Sequence, residues 1–454
     1  MTHDPSAPRA RFLSLGLLAA AWTAWLGCSV DRFPLPSVAT VEETGFGAGD
    51  SSYLLLNRQI HLPAGAAPAD LFIDDDGHIY VAESGSGRIS VWDQSLAEIG
   101  APGLDGFRLP GVKGVAVGPE QLLFAVNGGP ELWAFNLQAN RETLSWGFRR
   151  AYGHNATTGA SDTLDAVELA DAIADRSIRQ WQFSWVDSVD LDSPEFLAQL
   201  EPHVLWSGSG SAKLDAVARG RAGKREVFLA QNNQSGGDRL NRIRLLPSAV
   251  LFTENPDVPV VYLYEARTAP EVAAYSGSGA GTVDSLASLD ADAEGTLHFT
   301  QFAPLEGAFR AQRMTVEEFA GVDYWSFDFG LQGRNLLEPD RFQEARDIAQ
   351  TRSALFVLDR RPASGVAGDT LDAHRVHVFK RNGDFLLPLG ARKVLLEDGE
   401  KEWVHDQLTD PRAVAVYGNR SDRAGNEDEI IYVADGDGIK LFMLSVTTNN
   451  LPVQ

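Results

Sequence analysis

An all-β fold of repeated four-stranded antiparallel meanders is predicted by three observations. The first is an internal echo. WSGSGSAKLDAVA from Trp206 returns as YSGSGAGTVDSLA from Tyr275, and each copy runs on into a strand ending in glutamine, VFLAQ to Gln231 and LHFTQ to Gln301. The second is a short apolar run closed by an acid or amide, which recurs as IYVAE to Glu83, LFAVN to Asn127, VFLAQ, LHFTQ, LFVLD to Asp359 and IYVAD to Asp435. The third is the flanking pattern: an earlier strand (DLFID at Asp70, GVAVG at Gly114, RAVAV at Arg412) and a later one (RISVW at Arg88, ELWAF at Glu131, RVHVF at Arg375, IKLFM at Ile439) with the alternation of a half-buried surface. Such units at unequal spacings suit a β-propeller of about six blades, because blades tolerate loop insertions while their radial packing persists.

Taken in order, the chain opens with Arg9 and Arg11 before the apolar run Phe12 to Leu26, as in the charged and apolar regions of an export signal. WLGC at Trp25 to Cys28 resembles the lipobox of bacterial lipoproteins, with Trp25 where leucine is usual. The resemblance implies that residues 1–27 are a signal peptide, that Cys28 is acylated, and that residues 28–52 form a tether. Ser29 in place of aspartate resembles lipoproteins sorted to the outer membrane, with a secreted or periplasmic protein as the alternative. Extended to Val30, the run approaches the roughly 20 residues of a membrane-spanning helix, which leaves an uncleaved anchor as another reading.

The propeller is expected over residues 53–454. YLLLNRQIHL from Tyr53 has no blade of its own and the last repeat, ending near Leu444, is one strand short, so residues 53–62 are expected to close the ring. DDDG at Asp74 and DAEG at Asp292 mark turns between first and second strands. PADLFIDDDGHIYVAE from Pro68, with RISV from Arg88, resembles NHL repeats, which implies a six-bladed propeller. Residues from about 153 to 205 break the pattern and are expected to be partly helical. Ser161 or Asp162 would cap a helix with Leu164, Val167, Leu169 and Ile173 on one face, and Ser193 would cap another with Pro194 in its first turn. NLLEPDRFQEA before the fifth repeat is a smaller insertion.

Charge narrows the function. With 62 acidic against 39 basic residues and a net charge of -23, the surface repels nucleic acid and anionic lipid. The single cysteine excludes an internal disulfide and multi-thiolate metal sites.

In a propeller the start of each first strand and the end of each second lie toward one face. The first-strand positions are Asp70, Lys113 with Gly114, Asp215, Asp284, Asp347 and Arg412; the second-strand ends are Glu83, Asn127, Gln231, Gln301, Asp359 and Asp435. These oxygen-rich positions would suit a calcium or magnesium ion. The competing reading is structural, with the acid after the second strand pairing with the third-strand arginine, as Glu83 with Arg88. Gluconolactonase- and regucalcin-type propellers hold a divalent ion with Glu, Asn and Asp, and this chain offers those residue types without their longer signatures. Peptide-amidating lyases use histidines, and none stands at these positions; His374 and His377, three apart on a strand, point to opposite faces.

Other motifs read as structure. The SGSG tracts at Ser84, Ser207 and Ser276 never give G-x-S-x-G, and DADAEG from Asp290 has Gln301 where a calcium loop needs glutamate. Trp181, Trp185, Trp206, Trp325 and Trp403 are expected to pack, with a sugar-stacking platform as the alternative. The expected function is therefore a membrane-anchored, extracytoplasmic binding or scaffold module for a protein, peptide or glycan, the alternative being a divalent-metal-dependent hydrolase or lactonase.

Overall fold

The computed structural model describes residues 51–446 apart from 101–103, 119–120, 139–140, 222, 234–236, 255–259, 269–281 other than Tyr275, 303–309, 320–321, 328–343 other than Phe342, 352, 361–374, 391, 396–400, 405–406 and 418–429. The signal-like segment with Cys28, the smaller insertion except Phe342, Glu344 and Ala345, and His374 lie outside the described residues.

Five four-stranded antiparallel sheets stand side by side. The strand β1 (Ser51–His61) is followed by the first sheet, a meander of β2 (Pro68–Ile73), β3 (Ile79–Glu83), β4 (Arg88–Trp92) and β5 (Glu98–Ile99). The second has β6 (Gly114–Val117), β7 (Leu122–Val126) and β8 (Glu131–Asn136). It is completed by β12 (His203–Ser207), which returns after an insertion of β9 (Leu144–Asn155), β10 (Ser161–Asp165) and β11 (Trp181–Ser188). Next comes a larger, seven-stranded sheet, in which the meander β13 (Ala212–Arg219), β14 (Glu226–Asn233) and β15 (Arg239–Thr253) is extended by β9, β10, β11 and β16 (Val260–Thr268). The remaining four-stranded sheets begin with β17 (Leu286–Ala291), β18 (Thr296–Gln301), β19 (Ala311–Phe319) and β20 (Val322–Phe327). They continue with β21 (Ala345–Gln350), β22 (Ala354–Asp359), β23 (Arg375–Lys380) and β24 (Phe385–Leu389). After a hairpin, β25 (Arg392–Leu395) with β26 (Lys401–Val404), the last sheet is β27 (Pro411–Tyr417), β28 (Ile430–Asp435) and β29 (Gly438–Val446), with β1 as its outer strand.

The first strands form a closed circle of contacts, β2 on β6, β6 on β13, β13 on β17, β17 on β21, β21 on β27, and β27 back on β2. The arrangement is a β-propeller. Its core lies between the blades, which is why second strands such as IYVAE and ALFVLD are buried at every position instead of every other one. One apolar cluster joins Ile79 and Val81 of β3 to Tyr432 and Ala434 of β28; another joins Phe228 of β14 to Leu297 and Phe299 of β18.

The N-terminal strand closes the ring as expected. Tyr53 stands opposite Leu444 and Ile60 opposite Ile439, and the Leu62 amide donates to the Asp437 carbonyl at 2.9 Å. Ile60 is buried, and Tyr53 meets Phe356 edge-on at 6.0 Å. Gly77 and Gly295, in the turns read from sequence, have φ of +83° and +95°, the left-handed region that glycine enters without a Cβ clash.

The insertion differs from its expectation. Ser161 and Asp162 belong to strand β10, and the helix α1 (Ala166–Ala174) starts later, capped by Asp165. The Asp165 side chain accepts from the Val167 and Glu168 amides, while Glu168 accepts from the Asp165 amide, a reciprocal pair stronger than a lone serine cap. The upstream residues are held instead by pairing with β9. The second helix, α2 (Pro194–Leu200), is capped by Ser193 with Pro194 in its first turn, as read.

A repeated irregularity sets up the site. Register slips by one residue near the start of β2, β13, β17, β21 and β27, at Ala69, Asp215, Ala287, Arg346 and Arg412. Lys113 holds the same place before β6, its amide bonded to the Val126 carbonyl at 2.8 Å. A bulge leaves its extra residue unpaired and re-aims its side chain.

Candidate functional site at the channel mouth

The bulged residues converge. Ala69, Lys113, Asp215, Ala287, Arg346 and Arg412 all line one cavity of about 920 Å³ at the end of the channel where the first strands begin. Lys213 on β13, Asn232 and Asn233 at the end of β14, and the loop residues Asp238, Asp284 and Arg360 complete the lining.

The two sides differ in chemistry. On β21 and β27, Arg346 binds Glu344 Oε2 through Nε at 3.1 Å and Nη2 at 2.8 Å, and Arg412 binds Asp410 Oδ2 through the same two nitrogens at 2.9 and 2.7 Å. The same device thus recurs on neighbouring blades, with an acid two residues ahead of a bulged arginine. Arg360 Nη2 approaches Asp410 Oδ1 at 3.4 Å, and the Arg346 guanidinium lies 4.9 Å from the centroid of the Phe302 ring. Each carboxylate holds one edge of its guanidinium and leaves Nη1 of Arg346 and Arg412 without a protein partner among the described residues.

Across the mouth stand acids and amides. Asp215 accepts from Lys113 Nζ and, at 2.7 Å, from Asn232 Nδ2. Asn232 Oδ1 accepts the Leu286 amide at 2.9 Å, and Asp238 accepts the amides of Asn233 and Ser285, each at 2.7 Å.

Farther along the axis, Asp70, Asp290 and Asp347 line a narrow second cavity of about 40 Å³. They bind neighbouring blades together. Asp70 accepts the Val115 amide of the next first strand at 2.8 Å, Asp347 the Val414 amide at 2.6 Å, and Asp290 the Gln350 amide at 3.0 Å. These amides lie on the inner edge of a sheet, where no further strand can satisfy them. Burial pushes the Asp347 carboxyl up to about 7, against the opposing pull of its hydrogen bonds from Ser288, Val414 and Ile348, with the charge of Asp290 adding to the rise. Asp70, which keeps some contact with the channel, is held well above the ordinary carboxylate range by burial and then by the nearby charge of Asp347.

The second-strand ends lie elsewhere than the mouth lining. Glu83 is fully buried and receives Arg88 Nε at 3.2 Å and Nη2 at 3.0 Å, the structural pairing weighed from sequence. Asp435 accepts the Thr409 amide at 2.9 Å and Lys440 Nζ at 2.6 Å, and Asp359 accepts the Glu344 amide at 2.9 Å. Gln301 accepts the Asp284 amide, Gln231 bonds Asn233 and Asn241, and Asn127 accepts the Gly129 amide at 3.1 Å. Of the positions named from sequence, the mouth therefore gathers Lys113, Asp215, Asp284 and Arg412, and the axis Asp70 and Asp347. Arg346, Arg360, Lys213 and Phe302 were missed. The signal for Arg346 was available, since aligning the first strands by their bulges puts it in one column with Arg412 and Lys113.

No three ligating side chains converge at the mouth among the described residues. The cluster of that kind is Asp74, Asp76 and His78, on the β2–β3 turn at the other end of the blade. There Asp74 already accepts the Asp76 amide at 3.0 Å and the His78 amide at 2.8 Å, and meets His78 Nδ1 at 3.0 Å and Tyr80 Oη at 3.1 Å, so its oxygens serve the turn. His377 is buried 3.7 Å from Asp359. Of the tryptophans, Trp181 stacks on Phe183 at 6.3 Å, Trp325 meets Phe228 edge-on at 6.2 Å and Trp206 packs on the core, while Trp185 is exposed. The side chain of Trp403 lies outside the described residues.

Neither a scan of protein-family models nor a search of curated proteins finds a match. Among solved structures the chain is similar to a streptogramin B lyase (12% identity, TM-score 0.37, 87% of this chain and 98% of that one). It is also similar to the PQQ-bound aldose sugar dehydrogenase of Streptomyces coelicolor (12%, TM-score 0.40, 87% and 98%). A third is a gluconolactonase of Xanthomonas campestris (9%, TM-score 0.39, 89% and 93%). These likenesses concern the fold alone.

Proposed function

We propose that the chain is a binding module whose ligand enters the channel mouth. The observation that carries this is the convergence of the bulged first-strand residues on a single polar cavity of about 920 Å³, near the upper end of the roughly 300–1,000 Å³ typical of ligand clefts. A concave, polar site favours a glycan or a short peptide segment over the flat face of a folded protein. The metal-dependent hydrolase reading lacks support at this site, because among the described residues no three ligating side chains converge there.

The test is a thermal-shift screen of sugars, sugar acids and short peptides against the wild type and Ala287→Trp, whose indole fills the mouth. A ligand of the mouth raises the wild-type midpoint and leaves the variant unmoved; stabilisers that act equally on both would overturn the reading.

The proposal has three further parts. The seven-stranded sheet serves as one more blade, making six with the five four-stranded ones, and the repeats are of the NHL kind. The chain is exported and held at the bacterial outer membrane by acylated Cys28. Charge supports the need for a covalent anchor, since a net -23 opposes adsorption to an anionic bilayer. Cys28→Ser should release the protein from membranes, and a variant that still sediments at high pH would contradict the anchor.

A further inference from the structure

Resting on the mouth as the binding site, we infer that its ligand is an acidic saccharide, with the sugar carboxylate on the arginine side and the hydroxyls on the acid and amide side. Three observations carry this.

First, a chain of net charge -23 gathers Lys113, Lys213, Arg346, Arg360 and Arg412 around one cavity. A surface that only needed solubility would have no reason to concentrate its scarcer charge there. Second, the arginines are set in place beforehand. Glu344 and Asp410 each fix the Nε and Nη2 edge of a guanidinium, and Phe302 supports the plane of Arg346. The unpartnered Nη1 groups of Arg346 and Arg412 sit on adjacent blades, with Arg360 beside Asp410. Donors already ordered lose little freedom on binding, and guanidinium N–H groups match the oxygens of a carboxylate.

Third, the opposite side is mixed, with acids and amides beside Lys113, which is paired with Asp215, and Lys213, and it suits hydroxyls better than a second carboxylate. Asp215, Asp238 and Asp284 would repel a second carboxylate; each oxygen of Asp215 and Asp238 accepts one bond within the protein and keeps a further lone pair for a hydroxyl, and Asn233 Nδ2, which donates to the Gly237 carbonyl, keeps a second N–H. An acidic peptide would bring side chains needing apolar pockets, whereas the two large apolar residues of the lining are taken up, Leu286 by burial and Phe302 by the Arg346 guanidinium, and the others, Pro68, Ala69, Ala287 and Pro411, are small. The two sides together thus fit one negative group and several hydroxyls on the same ligand.

The experiment is calorimetric titration of the protein with galacturonosyl-galactose, which carries one carboxylate, with the neutral galactose disaccharide of the same linkage, and with diglutamate peptide. It uses the wild type, Arg360→Gln and Arg412→Gln; Arg360 is half exposed, so its replacement leaves the fold intact. Galacturonosyl-galactose is expected to bind about tenfold or more tightly than the neutral disaccharide, and each arginine variant to remove most of that difference by weakening the acidic ligand far more than the neutral one. The acidic preference should shrink from low to high salt. Equal binding of both disaccharides, insensitive to the arginines but lost in Ala287→Trp, would overturn the acidic assignment and keep the mouth as the site. Diglutamate binding as tightly as galacturonosyl-galactose would overturn the saccharide. Absence of any binding would overturn the inference, and the mouth itself would then stand or fall by the Ala287→Trp screen.

Discussion

Ile60 is the sharpest probe of ring closure. It is 1% exposed, faces Ile439 across the β1–β29 ladder and packs in the cluster that joins the last blade to the first. Truncating such an isoleucine to alanine costs about 2–5 kcal/mol, a large share of the ~5–15 kcal/mol by which domains are stable. Leu54 on the same strand is 45% exposed, and its truncation should stay within about 0.5 kcal/mol. Urea unfolding followed by tryptophan fluorescence compares the two: Ile60→Ala should lower the midpoint with the slope unchanged, and Leu54→Ala should not. Removing the whole strand is more severe. A chain beginning at Ala66 loses the burial of Tyr53, Ile60 and Leu62, at about 1.5–3 kcal/mol each, and uncovers the outer edge of β29, whereas a chain beginning at Asp50 keeps all of it. Equal melting of the two chains, or equal midpoints for the two point variants, would refute the closure by β1.

Three other outcomes follow, two from buried carboxyl groups and one from a helix cap. Burial raises the Glu226 carboxyl, but the hydrogen bonds and charge of Arg221 and the charge of Arg242 more than reverse this and hold it below its ordinary range. Glu226→Gln removes the carboxylate that faces buried Arg242 and binds Arg221, and should cost about 3–5 kcal/mol in urea unfolding. Asp347 works in the opposite sense. With its carboxyl raised from 3.8 to about 7, the folded state holds the proton more tightly than the unfolded chain, so stability is greatest below pH 4 as far as this group is concerned and falls as pH rises toward 7. Asp347→Asn, which keeps an acceptor for the Val414 amide, should flatten that decline, at most about 1.4 kcal/mol per pH unit, between pH 4.5 and 7; an unchanged slope would speak against it. Lastly, Asp165→Ala removes the cap of α1 and should cost about 1 kcal/mol without affecting any ligand of the mouth, measurable in the same unfolding assay.

Much of the fold could be read from the sequence because each second strand is apolar throughout and ends on an acid or amide with a fixed task. Glu83, Asp359 and Asp435 secure turns and third strands, and that local chemistry leaves a visible repeat. The insertion was less legible. Ser161 and Asp162 are plausible caps by type, but pairing with β9 claimed them, and strand pairing is a long-range choice that local propensity does not contain. The mouth was half legible for a related reason. Asp215 and Arg412 open their strands, and so were counted, while Arg346 stood one residue before the alternating run and was passed over in favour of Asp347. The bulge that turns Arg346 into the cavity and sends Asp347 to the axis shifts the faces by one residue, and a period-two pattern gives no warning of such a shift.

The central claim is that the mouth binds the ligand, and calorimetric titration of the most strongly stabilising compound into the wild type and Ala287→Trp tests it directly. The account predicts one binding event per chain in the wild type and none in the variant, whose unfolding should remain cooperative. Undiminished heat of binding in Ala287→Trp would place the ligand elsewhere and contradict it.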